Sequence, residues 1–445
     1  MARLFGSINR EHRRVVLAAM AGTTIEWYDF FVYAISAGLV FATQYFSALG
    51  KDALILSFAT VGISFFFRPI GAVIAGHLGD RLGRRAMLIA TLLLMGVSTV
   101  LIGLVPGTAS IGVAAPILLV VLRIVQGLSA GGEWGGAALL AVEHAPAGRR
   151  GLYGAFPQIG VPLGLLLANG ALALAAAVTT PAQFLAWGWR IPFLLSFVLI
   201  VVGFAIRSRV AESPVFEEVR RTRSRSSLPL VPLVRHHGPL VLLGAVLFAA
   251  NNAVGYMTTG GYVQSYAVKT LHLDRSTVLA AVMVSAVAWL VSTLIGGHLA
   301  DRIGRIVVYR IGFAVQLVWM VPFFALLDTA NVGLLVLALV LFSVGLGFTY
   351  GPQAALYAEM YPTHVRYSGA AISYAIGAVL GGAFAPTIAE ALQSSTGTVY
   401  SVCAYLAGMT VLGLVASFFI RDRRDVPLSD TEPAGGPVVA GDAVP

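Results

Sequence analysis

Five charged residues lie deep inside long apolar runs: Glu26, Asp29, Arg68, Arg123 and Glu133. Glu26 and Asp29 are spaced i, i+3, and Tyr33 follows Asp29 at i+4, so on a helix the three share one face. An unpartnered charge in a bilayer costs roughly 3 kcal/mol or more, so these groups must face a wet cavity or one another. Three acids against two arginines leave one negative charge if all ionise, and crowded carboxylates in low dielectric favour holding a proton. At a rise of about 1.5 Å per residue, Asp29 and Arg123 fall at one level near the midplane. Glu133 lies roughly 15 Å nearer the inner face, as a potential partner of Arg68. Such a set suits proton exchange beside a guanidinium whose planar fork matches a carboxylate. The alternative is a permanently paired cluster that only ties helices together.

A second set is neutral. Asn251, Asn252, Tyr256, Thr259 and Tyr262 follow one another on a single apolar run, and Gln316, Tyr350, Gln353 and Tyr374 add donors from later runs. A lone Asn or Thr usually makes a helix–helix hydrogen bond; the concentration in one segment favours a binding role.

The elements that must position these groups follow from composition. Of 445 residues, 58% are hydrophobic and 11% charged, which excludes an ordinary water-soluble globular chain. A spanning helix needs roughly 20 apolar residues, and runs of that kind predict twelve spans at 15–45, 54–78, 86–106, 113–143, 152–178, 187–206, 238–268, 276–300, 306–327, 332–358, 367–391 and 398–420. The net charge of +9 is not a nucleic-acid signal, because 23 of the 29 basic residues fall on one side of this arrangement. By the positive-inside rule that side, with both termini and the polar connection 207–237, is cytoplasmic. Residues 421–445 read as a disordered tail. The single Cys403 excludes a disulfide framework, and the histidines lack metal-ligand spacing. Neither a metal nor a cofactor is expected.

An internal repeat organises the spans. Gly76-His77-Leu78-Gly79-Asp80-Arg81-Leu82-Gly83-Arg84 recurs as Gly297-His298-Leu299-Ala300-Asp301-Arg302-Ile303-Gly304-Arg305. Glu143-x-x-Pro146-x-x-x-Arg150 recurs as Glu359-x-x-Pro362-x-x-x-Arg366. Two matches in the same order make the chain two parallel six-helix repeats, 1–206 and 238–420, an architecture of secondary transporters. The first loop, Asp80, Arg81, Arg84 and Arg85, resembles the signature loop of the major facilitator superfamily. Five further motifs resemble its metabolite:proton symporters, the proline/betaine, 2-oxoglutarate, citrate and shikimate carriers. They are Glu26-Trp27-Tyr28-Asp29-Phe30, Arg68-Pro69-Ile70-Gly71, Arg123-Ile124-Val125-Gln126-Gly127 with Gly131-Gly132-Glu133-Trp134, Glu212-Ser213-Pro214-Val215-Phe216 and Gly377-x-x-x-Gly381-Gly382.

The resemblance implies an all-α membrane protein of the major facilitator fold, not an enzyme, that imports a small polar metabolite with protons by alternating access. The substrate is expected to be a carboxylate or a zwitterionic betaine or amino acid. The alternatives are a proton-driven efflux antiporter and an integral-membrane enzyme. Asp29, Glu26 and Glu133 are the expected proton-coupling groups. Arg123, then Arg68, with Tyr33, Asn251, Asn252, Tyr256, Thr259, Tyr262, Tyr350, Gln353 and Tyr374, are expected to bind substrate. Asp80, Arg81, Arg84 and Arg85 are expected to latch the cytoplasmic side. The second copy, Asp301, Arg302 and Arg305, has Ile306 where the first has Arg85, so a weaker latch is expected there. Glu143 with Arg150 and Glu359 with Arg366 extend the network. The expected setting is the inner-membrane bilayer, with protons and a metabolite as partners, no nucleic acid, and a monomer.

Overall fold

A computed structural model describes residues 10–82, 84–131, 133–143, 145–146, 148–207, 230–259, 261–362, 365–424 and 428; for 10–15, 75–88, 140, 207, 230–232, 234, 256–259 and 367 it describes the backbone path only. In hydrocarbon every backbone N–H and C=O must be satisfied within the segment, so the apolar runs form helices. They are α1 (Arg10–Ser36, continued by a π-turn Ala37–Phe41), α2 (Ala53–Leu82), α3 (Arg84–Leu104), α4 (Ala114–Ala130, then Glu133–Glu143), α5 (Arg150–Val178) and α6 (Arg190–Arg207) in the first half. The second half holds α7 (Leu230–Thr259, then Tyr262–Lys269), α8 (Arg275–Ile303), α9 (Arg305–Leu327), α10 (Val332–Tyr350, then Gln353–Met360), α11 (Arg366–Gly377, a π-turn Ala378–Ala383, then Ala385–Thr396) and α12 (Tyr400–Phe418).

Among the described residues, ten helices are long and apolar enough to cross a bilayer. An eleventh span is the pair Pro181–Gly188 and Arg190–Ile206, bent by 45°, and the apolar part of α3, Ile89–Leu104, is shorter. Helix starts are capped where polar residues precede them: Asp274 accepts from the Thr277 amide at 2.9 Å and Asn331 from that of Leu334 at 3.2 Å. Hydrogen bonds from Ser276 and Thr277 hold the Asp274 carboxyl below the usual carboxylate range. Helix α7 begins at Leu230, so residues 230–237 are helix and not connection.

The outer faces are apolar. On α8, Val284, Val287, Val291 and Ile295 are about half exposed, whereas Ser285, Trp289 and Ser292 are buried. The spacing marks one stripe turned to lipid and another turned inward. The apolar stretch of α1 is buried throughout. Across the halves α5 packs on α8 and α2 on α11. Within the first half α2 and α4 approach so closely that a Cβ at Gly127 or Gly131 would strike the α2 backbone at Ser64 or at Arg68 and Gly71.

The halves touch on both faces of the bundle. Opposite the signature loops, Gly261 breaks α7 with φ +91°, a conformation that glycine adopts freely. A Cβ there would strike the Ala34 carbonyl of α1, and the Ser265 hydroxyl donates to Gly38 O at 3.3 Å. On the signature-loop face, α5 meets α8 through the contacts described next.

Candidate functional site

Arg68 of α2 stands where the halves meet. Its guanidinium pairs with Glu26 of α1 at 3.5 Å and lies over Phe65 at 4.6 Å, with Trp27 and Phe30 each at 5.6 Å. From the second half, Tyr374 of α11 lies against it and Tyr350 of α10 stands in its field. The pair is buried, yet its separation exceeds the 2.7–2.9 Å or so of a tight charge-assisted bond. The Arg68 Nε proton has no hydrogen-bond acceptor among the described residues. Aromatic groups wall the pair: Trp134 stacks on Tyr374 at 3.9 Å, and Phe248 on its other side at 4.1 Å. Trp134 Nε1 donates to Gln158 Oε1 at 2.9 Å, and Gln158 Nε2 reaches Tyr350 O at 3.4 Å. Arg68 thus pairs with Glu26, whereas Glu133, the partner suggested by depth, is buried at the head of the second piece of α4.

Arg123 is built differently. Its Nη2 donates to Val61 O at 3.0 Å and Ser64 Oγ at 2.9 Å, its Nη1 to Gln126 Oε1 at 2.9 Å, and its Nε to Thr60 O at 3.4 Å. The Tyr33 ring lies 3.9 Å beneath it, and the Tyr33 hydroxyl donates to Thr60 Oγ1 at 2.7 Å. Arg123 is therefore held within its own half, and Tyr33 with it. The expected contact of Asp29 with Arg123 does not form. Asp29 accepts from Ser196 of α6 at 2.6 Å, with Thr99 of α3 beside the same carboxylate, and makes no ion pair among the described residues. Depth placed both residues at one level, but rotation about the helix axis turns Asp29 towards α3 and α6 and Glu26 towards α2.

The second half supplies buried amides. Gln353 of α10 and Gln316 of α9 are fully buried with neither side-chain atom hydrogen-bonded among the described residues, and Asn251 and Asn252 of α7 each leave Nδ2 unengaged. Asn251 Oδ1 accepts from Thr349, a helix–helix bond. Tyr262 is occupied elsewhere: beyond the break at Gly261 its hydroxyl donates to Gln393 Oε1 at 2.6 Å, so it does not join the Arg68 group through any described contact. The side chains of Tyr256 and Thr259 lie outside the described residues.

On the signature-loop face the second copy of the loop joins the halves. Asp301 accepts from the Gly151 and Leu152 amides at the start of α5, at 2.7 and 2.9 Å, and from Arg305 at 2.7 Å. A carboxylate on helix N-terminal amides also meets the positive end of the helix dipole. Arg305 forks onto Glu359 at 3.1 and 3.2 Å, and Arg150 reaches Glu359 at 3.5 Å. Arg366 stands in the field of Glu143 and donates to Leu428 O at 2.9 Å. The repeated motif therefore also pairs across the halves, Arg150 with Glu359 and Arg366 facing Glu143, while Arg366 stands in the field of Glu359 of its own half as well. Asp301 joins the halves through α5 amides and Arg305, contacts that do not involve position 306. Arg302 is exposed, and its carbonyl, not its guanidinium, is engaged, by Arg424 at 2.8 Å. The tail returns here as well, with Asp422 accepting from Ile306 N at 3.3 Å. The side chains of Asp80, Arg81, Arg84 and Arg85 lie outside the described residues.

Sequence reasoning passed over Gln126, Thr99, Ser196, Gln158 and Trp134 as site residues. Gln126 and Trp134 stand inside the recognised motifs, whereas Thr99 and Ser196 are lone hydroxyls in apolar runs and give no signal.

Among the described residues, ten helices long and apolar enough to cross a bilayer, with the bent pair before and within α6 as an eleventh span, surround the buried Arg68–Glu26 pair and make this a multi-pass membrane protein. The profile of the Major Facilitator Superfamily matches residues 19–386, and the chain belongs to that family, among its metabolite carriers. It is 42% identical over 423 residues to an inner membrane metabolite transport protein of Escherichia coli (strain K12), covering 92% of this chain and 94% of that one. It is 37% identical over 417 residues to the shikimate transporter of the same organism, covering 92% and 94%. The crystal structure of a D-xylose–proton symporter shares the fold, with a TM-score of 0.73 at 20% identity over 95% of this chain and 98% of that one.

Proposed function

We propose that the chain is a proton-coupled symporter that carries a small carboxylate or a zwitterion, such as a betaine or an amino acid, into the cell. It would do so as a monomer in the inner membrane, with both termini and the signature-loop face cytoplasmic. Two six-helix bundles, 1–206 and 238–420, would rock about the Arg68 site, linked by the polar connection. The observation that carries this reading is the loosely paired, buried Arg68 guanidinium facing Tyr374 and Tyr350 of the other half. A substrate carboxylate would take the fork as Glu26 yields it, Asp29 would carry the coupled proton, and Gln353, Asn252 and Tyr350 would read the rest of the molecule. Arg68 replaces Arg123 as the first candidate for the anion, because Arg123 already has four acceptors.

The test uses shikimate, proline, glycine betaine and short dicarboxylates as thermal-shift ligands of the purified protein, since a ligand stabilises the state it binds. The best ligand is then offered to proteoliposomes under an imposed pH gradient. Stabilisation and accumulation driven by inward proton flow are expected. Expulsion of substrate against proton entry would overturn symport in favour of efflux.

A further inference from the structure

Arg123 and Asp29 do not touch, yet a continuous line of hydrogen bonds runs from one towards the other. Arg123 Nη1 donates to Gln126 Oε1 at 2.9 Å, and Gln126 Nε2 donates to Thr99 Oγ1 at 2.7 Å. The Thr99 hydroxyl donates to Met95 O at 3.1 Å and stands beside the Asp29 carboxylate, which accepts from Ser196 on its far side. All these side chains are buried. The polarity is uniform: cation to amide oxygen, amide nitrogen to hydroxyl oxygen, hydroxyl towards the acid. A threonine whose oxygen already accepts from Gln126 has one proton to give and two acceptors within reach, Met95 O and Asp29.

We infer that Gln126 and Thr99 form a relay that ties the hold on Arg123 to the protonation of Asp29. With Asp29 ionised, Thr99 turns its proton to the carboxylate, and the chain is drawn tight from Arg123 to Asp29, each bond polarising the next. With Asp29 protonated, Thr99 turns to Met95 O, and the chain ends without an anion. Gln126 then holds Arg123 less firmly, and the α2–α4 contact that Arg123 pins through Val61 and Ser64 becomes free to shift. Gln126 and Thr99 are positioning residues and touch no substrate. The inference rests on the reading of Asp29 as a proton carrier.

Of the elements packed on α1, the second piece of α4 brings the buried Glu133, and α5 carries Arg150 at its start, engaged by Glu359. Glu26 and Tyr28 act on Asp29 from its own helix; α6 presents Ser196 and α3 presents Thr99. Arg68 of α2 is engaged by Glu26, and α4 offers Arg123 behind Gln126. None of these supplies a direct cation to the Asp29 carboxylate, so the relay is the route by which one acts on it.

The experiment needs no substrate. The full-length protein in lipid vesicles is titrated by infrared difference spectroscopy, and the protonated-carboxyl band lost in Asp29→Asn is assigned to Asp29. If Asp29→Asn removes no titrating band, the reading of Asp29 as proton carrier fails by itself. Given the band, Thr99→Val should carry it to higher pH by about one unit, the worth of one hydrogen bond to a charged group. Thr99→Ser should restore it. Gln126→Leu should give a smaller shift of the same sign, and serves where Thr99→Val does not fold.

A double-mutant cycle isolates the relay from a through-space field. Arg123→Gln should move the Asp29 band in the parent protein and leave it in place in the Thr99→Val or Gln126→Leu background. An equal shift in both backgrounds, or none in the parent, would overturn the relay while leaving Asp29 a proton carrier. A purely structural role for Gln126 and Thr99 would change stability without that non-additivity.

Discussion

The two halves build their shares of the centre from different materials. In the first, charged groups are mostly consumed by one another and by the backbone: Arg123 by four acceptors, Asp29 by hydroxyls, and Glu26 by Arg68. In the second, among the described residues, Gln353 and Gln316 keep both amide atoms unengaged, and Asn251 and Asn252 keep a donor each. A buried unsatisfied amide costs about 1–3 kcal/mol. Under the proposed function, proton and charge handling would fall to the first half and the reading of a visiting molecule to the second. Arg68 is the exception in the first half, and it is the one that faces the second.

The largest break in that comparison should come from Asp29→Asn. Accumulation driven by a pH gradient is expected to vanish, while exchange of labelled for unlabelled substrate persists, because a permanently neutral group mimics the loaded carrier. Retained accumulation would shift the proton site to Glu26. Next in size, Arg68→Lys should weaken substrate binding by about tenfold to a hundredfold, since it keeps the charge but loses the fork and its roughly 1.5–3 kcal/mol. Arg123→Lys should leave binding within about twofold and instead lower stability, consistent with an arginine spent on its own half. Equal binding losses in the two variants, measured by calorimetry, would erase the distinction between them.

Gln353→Leu should raise KM by about fivefold, the worth of about 1 kcal/mol, with proton stoichiometry unchanged. A changed stoichiometry would mean that the second half also handles protons. The smallest effect expected is at the latch. In a Cys403→Ser background with a cysteine at Ala155, Asp301→Asn should raise thiol labelling from the signature-loop face by about threefold, the loss of one helix-terminal carboxylate. Arg302→Gln should not change it.

The fold was legible because its cause is local. Apolar runs of bilayer length, the basic residues gathered on one side, and two repeated loops are all one-dimensional patterns, and they located the spans to within a few residues. Exceptions occur where a helix is bent or extended by packing, as at Phe184–Gly188 before α6 and at 230–237 before α7. The candidate residues were legible for the same reason, since charge in an apolar run is visible without coordinates. Their partners were not. Depth follows from counting at a fixed rise, but partnership depends on rotation about each axis and on which helices are neighbours. Glu26 and Asp29, three residues apart, turn to different helices.

The sequence alone determined that this chain crosses the membrane repeatedly as two related halves and carries the charges deepest in its apolar runs in the first, because hydrophobic length and charge distribution are properties of composition along a line. Only the tertiary structure decided that Arg68 and not Arg123 meets the other half, that Arg150 crosses to Glu359, and that Asp301 closes on the start of α5. Those choices depend on side-chain azimuth and close helix approach, at distances where an ångström separates a hydrogen bond from none. No spacing in a sequence encodes them.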